Sequence, residues 1–165
     1  MYLNGGEGRS PAEAADNSAA LAPLPDTFAA LWALLRHHDS AVRLRAVDAA
    51  EKASRTEPAL LQPYKDDLIQ PILEDGAPEL SCHLLIMATR LDLNADEAAR
   101  LMRRLEDAVF NNACDLVRAE ALSGAFSVAS RHRRLAIRAR DLAKGVASRA
   151  SGELAERARE LLSGG

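Results

Sequence analysis

Val42, Ala46 and Ala50 are spaced four apart and mark one apolar stripe of a helix. The stripe returns as Leu80, Leu84 and Ala88, as Val117, Ala121 and Ala125, and as Leu154, Ala158 and Leu162. Each copy lies 37 or 38 residues beyond the last, and all twelve positions are apolar. One stripe alone says only that a helix lies in a core. Four copies at near-equal intervals say tandem units, and a tandem unit constrains the fold more than any local propensity.

A second helix precedes each copy. Asp26 is placed to cap the first, whose face is Phe28, Leu31, Trp32 and Leu35. The stretch "EPALLQPYKDDLIQPIL" supplies the second, with Pro58 and Pro63 near its start and Pro71 expected to kink or end it. "NADEAARLMRRLEDAVF" supplies the third, where Asn94 and Glu97 have the spacing of a capping box. "HRRLAIRARDLAKGVAS" supplies the fourth, with Leu135, Ala139, Leu142 and Val146 facing inward. Breaks at His38-Asp39, Asp75-Gly76, Asn111-Asn112 and Ser148-Ser151 divide residues 26–163 into four helix-turn-helix units. Their bounds are about 26–56, 57–91, 92–130 and 131–163. The chain is therefore expected to be all-α. Its apolar content is mostly Ala and Leu and only 4% of the chain is aromatic, which suits closely packed helices.

Residues 1–25 are rich in Gly, Ala, Pro and Ser and read as a flexible leader. Leu21, Leu24 and Pro25 are expected to fold over the apolar first helix as an N-terminal cap. In the last helix Arg159 stands where earlier copies carry Val47, Leu85 and Leu122. That swap from apolar to charged is expected of a C-terminal cap that completes the array.

"LLRHHDSAVRLRAVDAA" resembles the HEAT-repeat signature: a leucine-rich first helix, an Asp turn, then Val-Arg and spaced alanines. "PALLQPYKDDL" resembles a phrase common in the first helices of that family. The resemblance covers about 26–163. Val-Arg is present in copies one and three, while copy two has Leu80-Ser81 and copy four Leu154-Ala155. The resemblance implies an α-solenoid of four HEAT-like repeats whose second helices line the concave side. Arg43 and Arg118 are then expected to bond carbonyls or carboxylates of adjacent turns. An excess of Arg over Lys, 18 against 3, together with abundant Ala, fits a GC-rich bacterial genome.

Catalytic motifs are missing. "NGGEG" lies in the leader with no strand before it, and there is no G-x-S-x-G or H-E-x-x-H. None of His37, His38, His83 and His132 is followed by Glu, so the His-Glu pairs of di-iron HEAT proteins are absent. Cys82 and His83 are adjacent on one helix and diverge by about 100°. No enzyme activity, metal or cofactor is expected. Cys82 and Cys114 form no CxxC and follow no secretory signal, which suits reduced thiols in the cytoplasm. No apolar run reaches the ~18 residues of a membrane span.

What remains is binding. With the 42/46/50 stripe set inward, a helical wheel turns Leu44, Asp48, Glu51 and Arg55 outward in copy one. The equivalent positions are Cys82, Ile86, Thr89 and Leu93 in copy two, and Ala119, Ser123, Phe126 and Ser130 in copy three. In copy four they are Glu156, Glu160 and Ser163. An apolar groove of Leu44, Cys82, Ile86 and Phe126, rimmed by Asp48, Glu51 and the last two glutamates, would suit a protein or peptide with basic flanks. Core burial of these same residues is the competing reading. The favoured function is thus a non-catalytic protein-interaction scaffold. The alternative is a nucleic-acid or other polyanion site on the 131–149 run, through Arg131, Arg133, Arg134, Arg138, Arg140 and Lys144. A solvated outer face is the plain account of that run, since Arg134, Arg138 and Asp141 share a face and an i, i+3 Arg-Asp pair explains part of it.

Overall fold

A computed structural model describes residues 25–70 and 77–164. The leader to Leu24 and the segment 71–76, which holds Pro71 and the Asp75-Gly76 break, lie outside the described residues. All regular structure in the described residues is helical. The chain divides into two compact units between Leu60 and Leu61.

The first unit holds one helical pair. Helix α1 spans Pro25–Ala33 and runs into a 3-10 turn, Leu34–Arg36. It begins two residues earlier than a cap at Asp26 implies, so Asp26 sits in its first turn and acts on the helix dipole rather than as the cap. Pro25 suits a first position because its missing N–H is one that a helix start leaves unbonded anyway. Phe28 and Trp32 stack with ring centroids 5.8 Å apart, and both are buried with Leu35. Helix α2 spans Ser40–Thr56 and packs on this face. Asp39 caps it, its Oδ1 accepting from the Ala41 N–H at 2.8 Å.

The second unit holds the other pairs. A 3-10 stretch, Pro58–Tyr64, leads into the short helix α3, Lys65–Ile69. The sequence suggested one longer helix here. Pro63 falls inside this 3-10 stretch; its ring would crowd the carbonyl four residues back in an α-helix, and the α-helix starts only beyond it. Gln70 is extended (φ −103°, ψ 146°), as the residue before a proline prefers to be. Then follow α4 (Pro78–Ala88), α5 (Ala95–Asn111), α6 (Asp115–Arg131), a 3-10 turn at Arg133–Leu135, α7 (Ala136–Arg149) and α8 (Gly152–Ser163).

Asn94 and Glu97 form the capping box in full: Asn94 Oδ1 accepts from the Glu97 N–H at 2.9 Å, and Glu97 Oε2 accepts from the Asn94 N–H at 2.8 Å. Helix α6 is the centre of this unit. It packs on its own partner α5, on α7, and on the second helices α4 and α8. Helix α3 packs on α4 and α5. Within this unit α4 lies beside α6, α6 beside α8, and α3 beside α5.

Ten of the twelve stripe residues are buried; Val42 and Leu162 are half-buried. Leu135, Ala139, Leu142 and Val146 all face the core. Arg159 is exposed where Val47, Leu85 and Leu122 are fully buried.

Candidate functional site

The two signature arginines have structural partners. Arg43 Nη1 donates to the His37 carbonyl at 2.8 Å and to the His38 carbonyl at 3.1 Å, closing the end of the preceding helix. Arg118 Nε donates to the Val109 carbonyl at 2.8 Å, and its Nη1 to Asp115 Oδ1 at 2.8 Å. Arg118 thus satisfies a carbonyl in the last turn of α5, and Arg43 satisfies two carbonyls just past the 3-10 turn. Ser81 and Ala155, which replace arginine in copies two and four, are buried.

The helical wheel needs correcting at three positions. Glu51 is only 1% exposed, and Arg55 binds its carboxylate through Nε at 3.0 Å and Nη2 at 2.6 Å. Cys82 is 8% exposed and Leu93 is buried as well. The wheel assumed one narrow inward stripe. On α4 the buried arc takes in Leu80, Ser81, Cys82, Leu84, Leu85, Met87 and Ala88, because this helix packs on both α3 and α6. Leu44, Ile86 and Phe126 are half-buried, and so is Asp48, which pairs with Lys52 at 2.9 Å.

Within the second unit, α4 and α6 bound a cleft of about 190 Å³. Ile86, Thr89, Glu120, Ser123, Gly124 and Ser127 line it. Gly124 lets α6 approach both the end of α4 and α5 closely. A Cβ there would stand 3.1 Å from Thr89 Cγ2 and 3.2 Å from Leu105 Cδ2, tighter than ordinary packing. Near this face burial pushes the Cys82 thiol up to about 11, helped by Glu120, Cys114 and Glu79. The thiol is therefore protonated at neutral pH and a poor nucleophile.

Two residues of the basic run are bound firmly within the protein, and a third makes a loose contact. Arg131 Nη1 donates to the Leu91 carbonyl at 2.9 Å and its Nη2 to the Thr89 carbonyl, tying α6 to the end of α4. Arg138 grips Glu106 through Nε at 2.9 Å and Nη2 at 2.5 Å. Lys144 faces Asp141 at 3.6 Å. Arg133, Arg134 and Arg140 are exposed.

A larger cleft, about 520 Å³, lies between α5 and α7. Arg103, Glu106, Asp107 and Phe110 form its α5 wall; Arg138, Asp141 and Leu142 form the other. Sequence reasoning missed it. The available signal was the spacing: 103, 106, 107 and 110 are one helical stripe, and Phe110 is an apolar residue in an otherwise charged row. Phe110 is 50% exposed.

Among the described residues, no three His, Cys, Asp or Glu side chains are grouped to hold a metal ion. No helix there is long and apolar enough to cross a membrane. Compared with protein-family models, with curated proteins and with solved structures, the chain matches none.

Proposed function

We propose that this chain is a non-catalytic scaffold, a HEAT-like α-solenoid that holds a protein or peptide partner along its second helices, in the cytoplasm and without a cofactor. The observation that carries this reading is the α4/α6 cleft, where Ile86 offers apolar surface beside the Glu120 carboxylate and the Ser123 and Ser127 hydroxyls. Such a surface suits a partner that brings an apolar side chain flanked by a basic one. The repeat supports the architecture, since stacked pairs put equivalent residues of successive second helices side by side. The polyanion alternative draws less support, because Arg131, Arg138 and Lys144 have partners within the chain.

A photo-crosslinking residue at Ser123, used in native lysate, tests the proposal. A discrete partner captured there and lost with Ile86→Glu supports the concave-face assignment. The same capture with and without Ile86→Glu removes it. Salt-sensitive binding of duplex DNA at low ionic strength would instead favour the polyanion reading.

A further inference from the structure

The α5 helix meets a first helix on either side, and the two seams are finished differently. Toward α3 the seam is closed by the chain's own side chains. Lys65 Nζ bonds Glu97 Oε2 at 3.0 Å, Arg100 lies 3.9 Å from Asp66, and the buried Arg104 donates through Nη1 to the Leu68 carbonyl in the last turn of α3. The three α5 residues, 97, 100 and 104, form one stripe.

One repeat interval of 37 residues on, the same stripe reads Arg134, Ile137 and Asp141. The plug residue has changed from a cation to a carboxylate. Ile137 is 74% exposed and Asp141 is exposed. Arg138 bridges toward α5, and in doing so it occupies the carboxylate of Glu106. Beyond that bridge Phe110 lies over Gly145, its Cζ 3.9 Å from where a Cβ would stand. The contacts 106 to 138 and 110 to 145 advance together, so α5 and α7 run parallel.

We propose that the α5/α7 cleft docks a basic and apolar segment of another protein, whose arginine fills the place that Arg104 fills between α3 and α5. The chemistry of the walls favours a cation beside an apolar side chain. Asp107 and Asp141 stand on opposite helices and keep acceptor capacity: Asp107 accepts one bond from Asn111 Nδ2 at 2.6 Å, and the contact of Asp141 with Lys144 is solvent-exposed and weak. Phe110, half exposed, offers an aromatic ring to a guanidinium and, with Leu142, apolar surface to its neighbour. Both helices end just beyond, at Asn111 and Arg149, so their C-terminal dipoles favour positive charge at the same end of the cleft. Arg103 lies toward the other end, by the Arg138 bridge. This site is on the first helices and is separate from the α4/α6 face.

The test is a titration of the full ¹⁵N-labelled chain with two blocked pentapeptides, acetyl-Ala-Leu-Arg-Leu-Ala-amide and its counterpart with Glu in place of Arg. At millimolar concentration the arginine peptide is expected to shift the amides of 106–111 and 141–146, and the glutamate peptide is not. Asp141→Arg, which restores a chain-borne plug, and Phe110→Ala are each expected to weaken binding by roughly tenfold or more. Both changes lie on the surface, and unchanged melting curves will show that the variants fold. The proposal is overturned by no shift with the arginine peptide, by equal response to both peptides, by shifts centred on α4 and α6, or by binding that neither variant weakens.

Discussion

Between α3 and α5, and between α5 and α7, the molecule solves one packing problem twice with different outcomes. In the first seam a guanidinium is drawn inside, with Arg104 only 9% exposed, and satisfies a helix-end carbonyl. In the second a guanidinium stays at the surface, where Arg138 pairs with Glu106 and leaves about 520 Å³ beside it. The difference teaches that an ion pair alone does not close a helix seam. Closure needs the long side chain to fill volume as well as to carry charge, because the aliphatic stem of arginine supplies packing that the charge does not.

The largest effect is expected at the closed seam. Arg104→Ala removes the donor of a buried carbonyl and its packing, and should lower unfolding free energy by roughly 2–3 kcal/mol. Urea denaturation measures it, and a loss no larger than that of a surface change would break the comparison. Arg138→Ala, at the open seam, should cost about 1 kcal/mol, since its pair with Glu106 is bidentate but half in solvent. A loss equal to that of Arg104→Ala would mean that the second seam is held as tightly as the first.

A smaller effect follows pH. The Asn94 N–H and then Lys65 hold the Glu97 carboxyl below its ordinary value of 4.5. A depressed folded value gives stability that is present above the ordinary carboxylate range and lost as pH falls through the folded value. Glu97→Gln should therefore be less stable than the parent at neutral pH, with the gap closing in acid. A gap independent of pH would separate the cap from the seam. Asp141→Ala should be smallest, within about 0.5 kcal/mol, because Asp141 is exposed and its contact with Lys144 is loose.

Helix pairing was legible because it rests on periodicity. The 42/46/50 stripe and its three echoes are read from apolar type alone, and burial follows the same spacing. The Asn94 capping box was equally plain, since local hydrogen bonds depend on near neighbours in sequence. Surface was harder. Glu51 and Cys82 sit at wheel angles that an isolated helix would expose, but the arc that is buried depends on how many neighbours pack against the helix. The α5/α7 cleft needed two helices in register before Phe110 and Asp141 could be seen as parts of one surface. The 3-10 entry to α3 shows the same limit, because two prolines near a helix start do not say how many residues stay outside it.

Hydroxyl-radical footprinting of the full chain compares the two seams most directly, because it reads side-chain exposure in solution. The account expects rapid oxidation of Phe110 and Ile137 at the open seam and protection of Leu68 and Ile69 in α3. Protection of Phe110 to the level of Leu68 would contradict it, showing both seams closed and leaving no cleft for a partner's arginine.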